Sequence, residues 1–323
     1  MDTATIFNWY ANTIWPIHKK FIKTPKRCQR CILSEKYTEI ENGICKLCRD
    51  YKKSDNIPQK YSISDLTSSL KQSKKYYDAT LLLSGGKDSA YILHRMRQDY
   101  PDYKILCLTI NNGFMSSWAI KNAQYITQKL GVDLMVVNSH LEEFKKVLRQ
   151  AFIDLKGLET YAVIDYADGD AIFSIGQRIT HGLGIPTMIG GLSWVQLYRI
   201  CNSIDFKFNS GGIEIIHPLA VWRTDEQEIR EYVREHDLML KGSDSPMVSN
   251  SRLIPIMAVL DIKNLGYSSF EPEFAQLIRE GKSSRDAWIN IFEAMYYVVN
   301  KGFLDKELIQ VLSELDLIPE EVL

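Results

Sequence analysis

A polar loop between an apolar run and a helical pattern is the feature that most constrains this chain. Residues 81–93 read LLLSGGKDSAYIL. Gly85 and Gly86 carry no side chain, so their backbone N–H groups can approach an anion. Lys87 adds a positive charge, and the amino terminus of the next helix favours negative charge. The spacings of the Walker loop and of the G-x-G-x-x-G turn are absent. The stretch predicts a phosphate-binding turn after a strand of an α/β sheet, rather than a plain tight connection.

Short apolar runs alternate with amphipathic helical patterns through the middle of the chain. Such alternation predicts an α/β fold, a doubly wound parallel sheet with helices on both faces. From about residue 250 the patterns are helical only. We therefore predict an N-terminal module in residues 1–60, the α/β domain in residues 61–245 and a helical C-terminal region in residues 246–323.

Four of the six cysteines form two pairs of the form C-x-x-C. Cys28 and Cys31 lie in RCQRC, and Cys45 and Cys48 lie in GICKLC. Two such knuckles complete the tetrahedral shell of four sulfurs that zinc takes in structural sites. An iron–sulfur cluster also takes four thiolates, but the spacing does not argue for one, and disulfides are unexpected in a reducing cytosol. We predict a structural Zn²⁺ site with no open position for catalysis.

The composition limits the classes of function. Apolar residues make up 45% of the 323 residues and charged residues 24%, as in ordinary globular proteins. The net charge of −1 gives no overall attraction to nucleic acid, although residues 19–30, KKFIKTPKRCQR, are locally basic. No apolar run approaches the roughly 18 residues of a membrane span, and the first residues lack a signal-peptide pattern. We expect a cytoplasmic protein without a membrane partner, and nucleic acid is not the favoured partner.

The SGGKDS loop resembles the pyrophosphate-loop signature of the N-type ATP pyrophosphatases, the PP-loop (adenine nucleotide alpha hydrolase-like) superfamily. The similarity extends over roughly residues 78–285. It implies that the protein binds ATP and Mg²⁺ and adenylates an oxygen of its substrate with release of pyrophosphate. A nitrogen or sulfur nucleophile would then displace AMP. It also implies that Lys87 stabilises the transferring phosphates and that the pyrophosphate is cradled by Ser84, Gly85, Gly86, Asp88 and Ser89.

Two later segments, LTINNGF and MIGGLS, lie at the ends of apolar strands. In the superfamily that LTINNGF resembles, this strand end lies along the adenosine, and the glycines of MIGGLS could let the backbone approach the nucleotide or the substrate. Both also have an ordinary interpretation, because Asn-Gly and Gly-Gly are common in turns. The candidate nucleotide contacts are Thr109, Asn111, Asn112, Gly190 and Gly191.

The acceptor side is similar to PP-loop proteins of the tRNA-thiolating group, in which three cysteines hold an iron–sulfur cluster. The matching positions here are Asp165, Asp168 and Ser251. Hard oxygen ligands do not suit such a cluster, so cluster-dependent thiolation is not expected. Asp165 and Asp168 are candidate catalytic residues that bind substrate amines or hydroxyls or position magnesium. The alternative is a polar loop that caps a helix.

A zinc module ahead of a PP-loop domain resembles the N-acetyl-sugar amidotransferases. Those enzymes turn an acetamido carbonyl into an acetamidino group with ammonia from a partner glutaminase. The resemblance favours ATP-dependent adenylation of a small-molecule carbonyl or amide oxygen, followed by replacement of AMP by nitrogen. In this chemistry the catalytic candidates of the loop are Lys87 and Asp88.

The alternative function is ATP-dependent thiolation of a small molecule or nucleobase, and less readily of tRNA. It would need a sulfur-donor protein, with Cys107 as a catalytic relay. Cys107 also fits as a small apolar residue inside a strand. An ATP-binding module without chemistry is disfavoured by the complete SGGKDS loop. A homodimer is compatible with the sequence, which does not fix the oligomeric state. Three further residues are expected to be structural rather than ligand-binding: His217, Arg252 and Arg285.

Overall fold

The computed structural model describes residues 3–52, 58–138, 141–243 and 250–323. The chain divides into two compact units. Unit 1 comprises Met1–Asn56, Glu142–Gly169 and Ser245–Leu323, and unit 2 comprises Ile57–Leu141 and Asp170–Asp244. Residues 142–169, which the sequence patterns placed with the α/β domain, are thus part of unit 1. The predicted boundary at residue 245 lies outside the described residues.

The strands, numbered in chain order, are β1 (Ile40–Glu41), β2 (Ile44–Cys45), β3 (Ala79–Leu82), β4 (Ile105–Asn111), β5 (Asp133–Asn138), β6 (Thr187–Ile189), β7 (Lys207–Ser210) and β8 (Ile213–Ile216). The helices are α1 (Thr3–Trp9), α2 (Trp15–His18), α3 (Lys46–Asp50), α4 (Ile63–Ser69), α5 (Lys87–Asp99), α6 (Ser117–Leu130), α7 (Leu141–Ile153), α8 (Tyr166–Gly182), α9 (Trp194–Cys201), α10 (Pro218–Trp222), α11 (Glu226–Glu235), α12 (Leu253–Leu265), α13 (Glu271–Arg279), α14 (Arg285–Asn300) and α15 (Asp305–Glu314). In the described part of the chain, no helix combines the length and apolarity needed to cross a bilayer.

Unit 2 is built around a six-stranded sheet of order β5-β4-β3-β6-β8-β7. All neighbouring strands are parallel except the β7–β8 pair, which is antiparallel. The chain moves outward from β3 to β4 and β5 on one side and to β6 and β8 on the other. The boundary between β3 and β6 is therefore the switch point of the sheet, where ligands bind at the carboxyl ends of strands.

Helices cover both faces of this sheet, because its strands are apolar on both sides. On one face Leu81 and Cys107 pack with residues of α5, α6 and α11 such as Ile92. On the other face Met188, Ile213 and Ile215 pack against Phe173 of α8. The predicted doubly wound α/β fold is confirmed.

Unit 1 combines the cysteine module with helices. The β1–β2 hairpin precedes α3, and α12 to α15 form the helical C-terminal region that the sequence predicted. Trp15 of α2 is fully buried, with its ring 5.4 Å from the ring of Tyr297 on α14. Arg27 and Glu271 form an ion pair of 2.9 Å whose side chains are only 3% and 1% exposed. Unit 1 is thus held together by contacts between segments distant in the sequence.

Candidate functional site

The loop of residues 84–89 lies at the carboxyl end of β3, the strand beside the switch point. Helix α5 begins at Lys87, with Gly86 at its N-cap in an extended conformation and Asp88 in its first turn. The first backbone N–H groups of an α-helix have no partner within the helix, so the start of α5, at the carboxyl end of β3, suits an anion. The strand, loop and helix follow one another in the order that the PP-loop resemblance implies.

The two glycines of the loop have different tasks. Gly85 has a φ of 74°, and an added Cβ would lie 1.9 Å from the carbonyl oxygen of Ala119 in α6. Gly85 is therefore required for the loop to pack on α6. At Gly86 the nearest atom to an added Cβ is Ser84 Oγ, at 3.4 Å. Gly86 leaves the approach to the loop backbone open.

Hydroxyl groups fix the shape of the loop. Ser89 Oγ donates to the Gly86 carbonyl at 3.1 Å and lies 3.3 Å from Ser84 Oγ.

The loop also carries a pair of opposite charges. Lys87 Nζ donates to both carboxylate oxygens of Asp88, at 2.8 and 2.9 Å. The loop thus offers one cation and, through Asp88, an oxygen group of the kind that magnesium prefers.

Asn122 of α6 was not predicted to belong to the site. Its side-chain N–H donates to the Gly85 carbonyl at 3.1 Å and to Ser243 Oγ at 3.0 Å, and its oxygen accepts from the Leu240 N–H at 3.0 Å. Asn122 is 2% exposed. An asparagine inside an amphipathic helical pattern does not indicate from the sequence that its side chain binds three distant segments. The side chain holds the loop to α6 and to the end of unit 2.

The candidate nucleoside contacts lie at the carboxyl end of β4, next to β3. Thr109 is buried and donates from Oγ1 to the Leu83 carbonyl at 2.7 Å. Asn112 accepts from the Phe114 N–H at 2.9 Å, and Asn111 donates to Asn138 Oδ1 at 2.9 Å. These bonds build the strand end and its turn. The three residues therefore shape the wall of the predicted site, and their contact with a nucleoside stays a prediction.

Gly190 and Gly191 follow β6, on the other side of the switch point. An added Cβ at Gly190 would lie 2.4 Å from Cε1 of His217, whereas at Gly191 the nearest atom is 3.9 Å away. His217 is fully buried, and burial lowers the pKa of its imidazole to about 4 against the opposite effect of the Gly190 backbone. Gly190 is therefore required for close packing against His217, whereas Gly191 is less crowded, with Cδ1 of Ile92 as the nearest atom to an added Cβ.

Cys107 lies in the middle of β4, opposite Leu81 and Leu134 of the neighbouring strands. It is fully buried in the apolar core of unit 2. Burial raises the pKa of its thiol well above the usual range, with the Asp133 charge acting in the same direction. This environment favours the packing interpretation of Cys107, because a nucleophilic relay needs a thiolate.

The acidic candidates belong to unit 1, whereas the loop belongs to unit 2. Asp165 ends the π-helical turn Tyr161–Asp165, and Asp168 lies in the first turn of α8. Ser251 Oγ accepts from the Leu253 N–H at 3.1 Å, at the start of α12. A role of Asp165 and Asp168 in binding substrate stays a prediction.

The four paired cysteines come together as a candidate metal site. Their sulfur atoms all lie within 4.8 Å of one another, and all four residues are buried. Cys31 Sγ lies 3.7 Å from Cys45 Sγ, and the N–H groups of Cys31 and Cys45 donate to Cys28 Sγ at 3.5 and 3.3 Å. Although burial raises it, backbone donors including these two lower the pKa of Cys28 to about 7. Four buried sulfurs with N–H donors aimed at one of them suit a thiophilic ion.

Arg285 supports this site from α14. Its guanidinium donates to the Cys31 carbonyl at 2.7 Å and to the Cys28 carbonyl at 3.0 Å. Arg252 pairs with Glu314 at 2.7 Å. Both arginines therefore have structural partners, as expected from the sequence.

No family model matches the chain. It is 14% identical to a U34-tRNA thiolase, NcsA, from Methanococcus maripaludis that carries a [4Fe-4S] cluster, with a TM-score of 0.42 over 88% of this chain and 89% of that one. It is 16% identical to a phosphoadenylyl-sulfate reductase from Candida auris in a phosphate complex, with a TM-score of 0.36 over 69% and 90%. These low values carry no argument about function.

A sequence relative gives a firmer result. The uncharacterized protein MJ1599 of Methanocaldococcus jannaschii is 30% identical over 268 residues, which are 80% of this chain and 90% of that protein. This identity over most of both chains shows common descent, and the chain belongs to the same protein family as MJ1599.

Proposed function

We propose that the protein adenylates a carbonyl or amide oxygen of a small molecule with ATP, releases pyrophosphate, and replaces AMP by nitrogen. The observation that carries the proposal is the loop at the switch point, where the start of α5, Gly86 and Lys87 suit an anion. Unit 2 is an ATP-utilising PP-loop domain in this proposal, with the nucleotide between the SGGKDS loop and the turn after β6.

The proposed chemistry follows from where charge develops. Cleavage between the α and β phosphates places negative charge on the leaving pyrophosphate, and preorganised N–H groups and the Lys87 cation lower that barrier. Asp88 would help to hold Mg²⁺, which would supply further charge neutralisation. The adenylated oxygen then leaves with AMP when the nucleophile attacks.

Nitrogen is preferred to sulfur because of Cys107. Thiolation through this residue would need an accessible thiolate, and Cys107 is a buried thiol with a raised pKa. Ammonia requires no nucleophile from this chain, so a partner glutaminase is the proposed donor. Thiolation with a sulfur-donor protein is the alternative that the experiment must separate.

For the cysteine site we propose a structural Zn²⁺. Two Zn–S bonds of about 2.3 Å at the tetrahedral angle place sulfurs roughly 3.8 Å apart, close to the 3.7 Å between Cys31 and Cys45. A four-iron cluster inserts several iron atoms between its thiolates and needs wider spacing. Metal analysis of the purified protein would decide: one zinc per chain without iron supports the proposal, and iron with acid-labile sulfide contradicts it.

The test of the catalytic proposal uses acceptors whose carbonyl carries ¹⁸O. Nucleotide-linked acetamido sugars with ammonia, and purine bases with sulfide, are incubated with ATP and Mg²⁺, and products are read by mass spectrometry. Adenylation predicts ¹⁸O in AMP and NH in place of O in the acceptor. Sulfur in place of O would establish thiolation instead. Pyrophosphate with AMP that lacks ¹⁸O for every acceptor would overturn adenylation of these substrates.

A further inference from the structure

His217, directly after β8, is a buried imidazole that the proposed chemistry does not use. Its ring lies between the rings of Phe173 and Phe208, with both centroids 5.9 Å away and interplanar angles of 17° and 27°. The side chain is fully buried. Such an aromatic sandwich suits an apolar ring better than an imidazole.

One ring nitrogen explains why the residue is polar. Nδ1 accepts the backbone N–H of Leu192 at 3.2 Å. An imidazole that accepts at Nδ1 and is neutral carries its proton on Nε2. Nε2 is buried and finds no hydrogen-bond partner among the described residues. One of the two ring nitrogens is therefore hydrogen-bonded and the other is buried without a partner among the described residues. A buried, unpaired N–H is unfavourable, so we infer that the bond at Nδ1 has a specific role.

That bond holds the turn Gly190–Leu192 after β6. The Gly190 N–H donates to the Ile216 carbonyl at 2.9 Å, so the turn is anchored to β8 at its first residue. The His217 bond anchors its third residue, and at Gly191 between them an added Cβ would meet no atom closer than Cδ1 of Ile92 at 3.9 Å. Ile216 of β8 and His217, the residue after it, thus hold the turn after β6, the strand that borders the switch point beside β3.

We propose that His217 is a positioning residue of the nucleotide site, acting through the Leu192 N–H as the neutral Nε2–H tautomer. This inference rests on the proposed function, because the turn matters only if a nucleotide occupies the switch point. It makes His217 a residue kept for ligand binding at the expense of stability.

The experiment measures ATP affinity by calorimetry and thermal stability for three variants. His217→Phe fills the aromatic sandwich but cannot accept the Leu192 N–H. It should unfold at the wild-type temperature or above and bind ATP about tenfold more weakly, the effect of one ordinary hydrogen bond. His217→Asn places an amide oxygen near the Nδ1 position and should recover most of the affinity. His94→Phe, in which a half-buried histidine bonded to Tyr232 is replaced in the same unit, is the control and should bind ATP as the wild type does.

A purely structural role predicts the opposite pattern, in which His217→Phe loses stability and keeps ATP affinity, and that result would overturn the inference. Nitrogen-15 spectra of the imidazole rings give an independent readout. The Nε2–H tautomer is expected for His217; a cationic ring, or an Nδ1–H directed at the Gly190 carbonyl, would also overturn it. A wild-type protein that binds no ATP would instead refute the proposed function, and the positioning role with it, whatever the tautomer.

Discussion

Lys87 supplies the positive charge of the loop, and its removal should separate catalysis from stability. The Lys87–Asp88 pair is partly exposed, with side chains 21% and 45% accessible, so its loss should cost no more than about 1 kcal/mol of unfolding free energy. Lys87→Ala should lower ATP-dependent pyrophosphate release by about 10²–10³-fold, as when one preorganised donor is removed from developing charge. Initial rates with excess acceptor measure this loss.

The matched control is Lys129→Ala. Lys129 also forms a partly exposed ion pair, with Asp237 at 3.2 Å, but it lies at the end of α6 away from the loop. Its removal should leave both rate and stability close to wild type. Equal losses of rate in the two variants would show that Lys87 acts only through surface charge.

The two loop glycines should respond differently to alanine. In Gly85→Ala the positive φ and the contact with the Ala119 carbonyl should together destabilise unit 2 by at least about 1–3 kcal/mol. Gly86→Ala should change the unfolding free energy by no more than about 1 kcal/mol, yet reduce pyrophosphate release, because its methyl group narrows the approach to the loop. Denaturant unfolding and turnover, measured on both proteins, test the contrast. A stable Gly85→Ala protein would disprove the packing role.

The letters SGGKDS were enough to predict the position and charge of the loop. They could not predict which glycine serves packing, because that depends on Ala119, which reaches Gly85 only through the fold. Asn122 was missed for the same reason, since its three bonding partners are distant in sequence. Gly190 was assigned to ligand approach, and the structure adds a contact with His217 that no local pattern contains.

At the scale of elements, the buried ion pair of Arg27 and Glu271 joins the cysteine module to α13. Arg27 also donates to the Ile32 carbonyl at 2.7 Å. Arg27→Met would leave the Glu271 carboxylate buried without its partner and should destabilise unit 1 by about 3–5 kcal/mol. The unfolding free energy from urea titration measures the loss.

The double variant Arg27→Met/Glu271→Met is the control for the charge itself. Because no unpaired carboxylate remains, it should recover part of the stability lost in Arg27→Met. If the losses of unfolding free energy in Arg27→Met and in Glu271→Met add up to the loss in the double variant, the two residues act independently. That result would remove the ion pair from the account of unit 1.

Most elements of the sheet could be predicted because their residues repeat with the period of the structure they form. The apolar runs associated with SGGKDS, LTINNGF and MIGGLS form β3, β4 and β6, and the helical pattern after SGGKDS forms α5. β7 was missed because this edge strand, KFNS, is short and largely exposed. The Gly211–Gly212 pair is the sequence feature that could have predicted it, because two glycines suit a two-residue hairpin turn before β8. In the structure these glycines have φ of 55° and 81°.

At the scale of the whole molecule, metal removal should affect the two units unequally. The cysteine site lies in unit 1, and Arg285 ties it to α14. A chelator should therefore speed amide hydrogen exchange in residues 27–48 and at the start of α14, because metal binding contributes folding energy locally. Exchange in the β3–β4 pair should change little. Equal deprotection of both units would contradict the local role of the metal.

The sequence patterns did not predict which segments of the chain form unit 1. It gathers three separated segments of the chain, and its cohesion depends on partners such as Arg285 and the Cys28 carbonyl, more than 250 residues apart. Periodicity reports the exposed and buried faces of one element at a time. Which elements share a core is decided by contacts that periodicity does not encode.

The hydrogen bond from Asn122 to the Gly85 carbonyl fixes the loop before any ligand binds, which affects the entropy cost of the proposed nucleotide binding. A loop that is already tied to α6 at Gly85 loses little conformational freedom when it receives phosphates, so its ordering is completed during folding rather than during binding. In the proposed reaction, the same loop would hold the pyrophosphate group before and after cleavage. We therefore expect departure of pyrophosphate, rather than cleavage, to limit the rate of turnover.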